Sequence, residues 1–368
     1  MLSTEELISK IKLVNDKWLL TEPWKENTNW ATACYFMGCL DAYEETGEKR
    51  YLDAAVRWGE EHDWRACVEG NLDYARDVLV NHFTVEGRLD WKFDDIADYL
   101  NIHADHLTCG GTFLKLKKYV PEKANIDSIK RIMDFMINDP HVDYWWWVDT
   151  IHMALCIMHK VTEVTGDERY ADKAHALYMD TKSRLGLYDT EEHLWHRDWR
   201  YLPENGLTKN GKKIFWSRGN GWAYAGLIQT MEQIGREHRH YAEYEKTFLE
   251  MTDALMKCRG KDGFWRASLH DADEFPMIET SGTLLFLSSI LKAVRLGVLD
   301  ESYLAVFEES FDAMNEHAVF EDGTIGWVQG VAGSPGETLR EGTRDYAVGY
   351  YLMTCCECLR FIRERKEQ

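Results

Sequence analysis

The chain has 368 residues, 45% of them hydrophobic and only six of them proline, with a formal net charge of −20. That hydrophobic share supplies a large core and excludes a disordered chain. The acidic balance excludes nonspecific attraction to nucleic acid or to an anionic membrane, since both require a basic face.

The opening stretch, MLSTEELISKIKLVNDKW, lacks the basic start, continuous apolar run and small-residue cleavage site of a secretion signal. No run of about 18 apolar residues is present to span a membrane. The nine cysteines are odd in number and without framework spacing, which fits reduced thiols. A cytoplasmic location is expected.

From residue 30 the pattern is helical. WATACYFMGCLDAYEET (30–46) and YLDAAVRWGEEH (51–62) repeat apolar residues at three- and four-residue steps. Between them, TGEKRY (46–51) supplies a glycine where a helix end needs a left-handed residue. The phrase returns as TGDERY (165–170), and more loosely as IGREHRHY (234–241) and LGVLDESY (296–303). Its glycines stand at 47, 166, 235 and 297, a spacing of roughly 60 residues or twice that. The missing member belongs near Lys118, where KKYVPEKANID (117–127) breaks a helix. A later helix pair is read at 146–162 and 170–185, and the turns KDGFW (261–265) and EDGTIGW (321–327) are expected as small hairpins at one rim.

Six such units fill the chain. They predict an all-α fold, a closed (α/α)6 barrel of six helical hairpins forming a single domain over 1–368. An open helical solenoid is the alternative. Closure is favoured by the count of six and by the absence of polar capping repeats. No linker rich in Pro, Gly or Ser divides the chain.

Three polar segments carry candidate chemistry. NIHADHLTCGGTF (101–113) sets Asp105 between His103 and His106, as a helix-capping loop or as part of a site; no second cluster with ligand spacing supports a metal. DYWWWVDTIHMAL (143–155) puts Asp149 after three tryptophans at the start of an apolar helix. Asp149 is either a first-turn acid stabilised by the helix dipole, or a desolvated carboxyl whose raised pKa lets it donate a proton. LWHRDWRY (194–201) leads to KKIFWSRGNGWAYAGL (212–227), where Trp216, Arg218 and Trp222 are spaced W-x-R-x-x-x-W. An arginine between indoles suits a carboxylated sugar or, equally, a cation–π contact in the core. The fifteen tryptophans serve mostly as core, and some as platforms for sugar rings. TCCEC (354–358), on the last apolar helix, reads as buried thiols.

Together these motifs resemble the unsaturated uronyl hydrolases of glycoside hydrolase families 88 and 105, with family 105 the closer. The matching pieces are ADHLTCGGTF (104–113), WWWVDTIHMA (145–154), the stretch 194–227, ASLHDADEFPMIETSGT (267–283) and GTIGWVQ (323–329), all in the family's order. The resemblance implies an (α/α)6 barrel without a cofactor, acting on oligosaccharides that end in a 4,5-unsaturated uronic acid. It implies hydration of the C4–C5 double bond, with Asp149 as general acid/base and Asp105 as the second acid. Trp147, Met153, Trp216, Arg218 and Trp222 fall on the family's substrate-pocket positions. Arg197, followed by Asp198, stands where several members carry a histidine, and His106 where some carry a second acid. A monomer or homodimer is expected.

Three other readings share these residues. A conventional inverting glycosidase would hold Asp149 and Asp105 about 6.5–9.5 Å apart around a water. A sugar epimerase or isomerase would use His103, His106 and His152. A noncatalytic sugar-binding protein would keep the tryptophans without needing Asp149.

Overall fold

The computed structural model describes residues 2–67 and 102–367. Among them are twelve α-helices of eight residues or more. These are α1 (Thr4–Leu19), α2 (Trp30–Thr46), α3 (Lys49–Glu61), α4 (Cys109–Leu116), α5 (Asp127–Asn138) and α6 (Cys156–Thr165). They continue as α7 (Arg169–Met179), α8 (Ser217–Ile234), α9 (Tyr241–Cys258), α10 (Thr280–Arg295), α11 (Tyr303–His317) and α12 (Asp345–Glu367).

The helices sort by how their apolar residues are distributed. On α8 and α10 nearly every residue is buried, the mark of a helix enclosed on all sides. On α3 and α5 burial is confined to one stripe, such as Tyr51, Ala54, Ala55 and Trp58 on α3. The even-numbered helices form an inner ring in which α2, α4, α6, α8, α10 and α12 each pack on the next, and α12 packs back on α2. That last contact closes the barrel and removes the open solenoid. It is unusually tight: a Cβ on Gly38 would lie 2.2 Å from the Gly349 carbonyl oxygen, and one on Gly349 would lie 2.2 Å from that of Cys34.

Gly47, Gly166, Gly235 and Gly297 all have positive φ, between 66° and 72°. Each turns an inner helix into its outer partner, as the repeated phrase predicts. Five hairpins are consecutive. The sixth departs from the expected order: inner α12 at one end of the chain takes α1 from the other end as its outer neighbour.

The turns at the glycine end of the barrel are short, and the connections from outer back to inner helices are long. EDGTIGW folds into a hairpin with a Val319–Ile325 bridge, and KDGFW into a tight turn closed by Gly260 N–H on the Phe264 carbonyl (2.8 Å). Among the described residues no helix is long and apolar enough to cross a membrane.

The helix expected from 146 begins later. Residues 146–149 are non-helical because the Val148 N–H donates to the Arg197 carbonyl (2.8 Å). A π-turn, Ile151–Leu155, then leads into α6.

Candidate active site

The long-connection end of the barrel gathers the three polar segments. Asp149 sits in the turn before the π-turn, and its carbonyl accepts from the His152 and Met153 N–H groups (3.0 and 3.1 Å). Its position is set from outside by α8, where a Cβ on Gly226 would lie 2.4 Å from the Ile151 carbonyl oxygen. Only glycine allows this approach of helix to backbone. A short helical turn, Ala104–Leu107, carries Asp105 to the same place. The Thr108 hydroxyl, just after it, donates to the Met153 carbonyl (3.3 Å).

Asp149 is 6% exposed. Its Oδ2 accepts from Arg197 Nε at 3.1 Å. Arg197 Nη1 donates to Asp198 Oδ2 (2.7 Å), and Asp198 takes a forked pair from Arg200 at 2.9 and 2.8 Å. Burial raises the Asp149 pKa; the charges of Arg197 and Arg218 oppose it, and the net shift is upward. For Asp198 the balance reverses. Burial would raise it, but the Arg200 hydrogen bonds and the Arg197 charge hold it below the usual carboxylate range. Two neighbouring acids are thus pushed apart, one toward holding a proton and one toward giving it up. Asp105, half-buried, acts on the charge of Arg197 together with them.

An aromatic wall faces this chain of charges. Trp146 and Trp147 lie 4.6 Å apart by ring centroid, the His103 ring stacks on Trp147 at 4.1 Å, and the Arg197 guanidinium lies 5.8 Å from the Trp146 ring. His106 is 5.4 Å from His103. The loop at Gly333 passes close to Arg197, where a Cβ would come within 3.5 Å of the guanidinium carbon.

The structure brings Asp149, Asp105, Trp147, Arg197, His106 and Met153 together; Met153 is buried behind the Asp149 turn. It places Trp216, Arg218 and Trp222 deeper. Arg218 is fully buried and donates to the carbonyls of Gln329 (2.8 Å) and Gly330 (2.7 Å). It lies 4.4 Å from the Trp216 ring, as its spacing suggests, but its second aromatic partner is Tyr346 at 5.0 Å rather than Trp222. Its two Nη nitrogens are taken by these backbone carbonyls, and its charge also acts on Asp149. Trp222 packs against Trp30, His152 and Tyr346 inside the barrel.

Two of the three histidines that an epimerase would use are buried and shifted toward the neutral form. His152 is buried, its pKa pushed by burial down to about 3, and it is bonded to the Tyr350 hydroxyl. Burial also holds His103 well below its usual value. His196 points away, to the Ile214 carbonyl (3.2 Å) and a stack on Phe215. Among the described residues no group of three or more His, Cys, Asp or Glu side chains is placed to hold a metal ion.

Two supports were not singled out from sequence. Arg200 completes the clamp on Asp198, and its signal was present in the alternating charges of Arg197-Asp198-Trp199-Arg200. Buried Glu279 caps α10 through the N–H groups of Ser281 and Gly282 (3.0 and 2.7 Å) and accepts from Gln329 N–H (3.3 Å). Gln329 in turn accepts from Trp216 Nε1 (2.8 Å). Both residues lie within motif blocks, but nothing local marks them as a hub.

Comparison with known proteins agrees with this fold. The model of the family described as Glycosyl Hydrolase Family 88 matches residues 5–362. An unsaturated 3S-rhamnoglycuronyl hydrolase from Formosa agariphila is 27% identical over 338 residues, 90% of this chain and 85% of that one. The solved structure of a family 88 glycosyl hydrolase from Bacteroides vulgatus is 28% identical, covers 98% of this chain and 100% of that one, and has a TM-score of 0.87. A family 105 glycoside hydrolase from C. acetobutylicum ATCC 824 shares the fold at 19% identity and a TM-score of 0.67, covering 94% of this chain and 98% of that one. A closed (α/α)6 barrel with a buried aspartate at one end and a family match along nearly the whole chain lead to one conclusion: this protein belongs to glycosyl hydrolase family 88, the unsaturated uronyl hydrolases.

Proposed function

We propose that Asp149 is the general acid that removes a 4,5-unsaturated uronic acid from the non-reducing end of lyase-generated oligosaccharides. The observation that carries this reading is the buried Asp149 carboxyl, its pKa raised by burial, beside the cation of Arg197 and the Trp146–Trp147 wall.

The chemistry follows from the double bond. C4 of the unsaturated ring is the nucleophilic carbon of an enol ether. Asp149 gives its proton to C4, and positive charge develops at C5, next to the ring oxygen. Water adds at C5 and returns a proton to the Asp149 carboxylate. The C5 hemiketal opens, and the linked sugar departs with its glycosidic oxygen. Asp105 and His106, on one short turn at the same end of the barrel, orient sugar hydroxyls. Arg197, the cation nearest the acid, faces the uronate carboxylate, and Trp147 backs the ring. Trp216, Arg218 and Trp222 hold the wall behind it.

The relative from Formosa agariphila is named for a rhamnoglycuronyl substrate, which favours unsaturated glucuronyl ends linked to rhamnose. All nine cysteines are free thiols, which supports action in a reducing compartment such as the cytoplasm.

The double bond conjugated to the carboxylate absorbs in the ultraviolet, and its loss measures the reaction. Rhamnose-linked unsaturated glucuronyl oligosaccharides are expected to lose that absorbance, and Asp149→Asn to slow the loss by about 100-fold or more, the usual scale for an acid/base group. Near-wild-type turnover in Asp149→Asn would remove the role given to this residue. Release of sugar from saturated glycosides without loss of absorbance would favour a conventional glycosidase.

A further inference from the structure

The end of the barrel opposite Asp149 holds a cavity of about 780 Å³, lined by residues from all six inner helices. Protein interiors are close-packed, and this volume lies within the roughly 300–1,000 Å³ of small-molecule sites. Its inner surface includes Met37, Gly111, Cys156 and Met353, while its walls carry seven cationic and five acidic side chains.

The acids are all engaged. Asp41 and Glu44 are bridged by Lys115 and Arg360. Glu232 and Glu357 are bridged by Lys292 and Arg295. Glu163 accepts from the Gln233 amide. Of the three cations left over, Lys117 and Lys118 follow the end of α4 at the rim, Lys118 exposed; the third, set deeper, is Lys160. It lies half-buried on α6, one turn beyond Cys156 on the same face, and no carboxylate among the described residues lies within ion-pair reach of it.

The inner helices direct their C-terminal ends toward this mouth, which accounts for part of the cationic excess at the rim, since carbonyl ends attract cations. Lys160 is not at the rim. It stands five positions before the last residue of α6, and the dipole effect falls off within the last turn. An ammonium carries three donors and no acceptor, so whatever occupies the cavity beside it must present oxygen acceptors.

We propose that this cavity is a second binding site, for a small molecule carrying a carboxylate or phosphate group, with Lys160 as its charged anchor. The site is separate from the catalytic end and independent of the reaction assigned there. The apolar floor takes the ligand's carbon skeleton, and the ion-paired walls leave Lys160 to receive its anionic oxygens.

The test is calorimetric titration of the full-length protein with inorganic phosphate and, separately, with glucuronate, at ionic strength held constant with sodium chloride. A saturable site for at least one anion is expected. Lys160→Met should weaken it about tenfold or more, the worth of one charge-assisted hydrogen bond, and Lys160→Arg should retain it. Both variants should keep wild-type turnover of unsaturated substrate, which also reports that they fold. Phosphate binding alone would assign a phosphorylated ligand, and Lys160-dependent glucuronate binding a sugar acid. Absence of saturable binding for both anions up to about 10 mM, the weak limit of useful affinity, would overturn the proposal. So would binding that Lys160→Met leaves unchanged.

Discussion

Arg197 shows how one side chain tunes another. Its guanidinium lies between Asp149 and Asp198 and lowers both. With Asp149 as the proposed acid, activity is present while it holds its proton and falls as pH rises through its folded pKa. Arg197→Met removes a charge that opposes protonation. The alkaline limb of kcat/KM should therefore move to higher pH, while kcat/KM itself drops by about tenfold or more from loss of the charge-assisted contact proposed for the uronate. An alkaline limb unchanged in Arg197→Met would mean that Asp149 does not set it. Asp198 keeps its Arg200 hydrogen bonds in this variant, so that carboxylate stays paired. Asp149 was legible in sequence because its signal is local, three tryptophans and an acid ahead of an apolar helix. Its pairing with Arg197, 48 positions away, was not, because only folding brings the two segments together.

At the scale of elements, the Asp149 turn depends on how closely α8 approaches it. Gly226 stands where any side chain would meet backbone, 2.4 Å from the Ile151 oxygen and 2.8 Å from the His152 nitrogen. Backbone cannot rotate aside as a flexible side chain can. Gly226→Ala should cost about 1–3 kcal/mol or more, as overpacking does, and should lower kcat because the displaced residues carry Asp149. Urea denaturation together with turnover measures both, and wild-type stability in this variant would show that the contact is looser than described. The periodic pattern located α8 and its arginine, with Arg218 and Trp222 on one helix as their four-residue spacing requires. It left open whether Arg218 faces sugar or core. The carbonyls that hold its guanidinium, those of Gln329 and Gly330, come from a loop more than 100 residues downstream.

Over the whole molecule, closure of the ring rests on the glycine contact between α2 and α12. Gly349→Ala would force these helices apart, and its loss of stability in thermal or urea unfolding should exceed that of Gly47→Ala. At Gly47 nothing lies within 4 Å of the added carbon, so the cost there is the left-handed φ alone, about 1 kcal/mol. Equal losses would mean that the seam tolerates a methyl group. The sequence by itself determined the helical class, the glycine turns and the six-unit count, because period and turn chemistry act between near neighbours. It also determined which short segments carry acids and aromatics. Tertiary structure alone decided that α1 completes the hairpin of α12, that Arg197 bridges two acids while His196 turns away, and that a charged cavity opens at the far end. Each depends on contacts between residues distant in sequence, which no local pattern encodes.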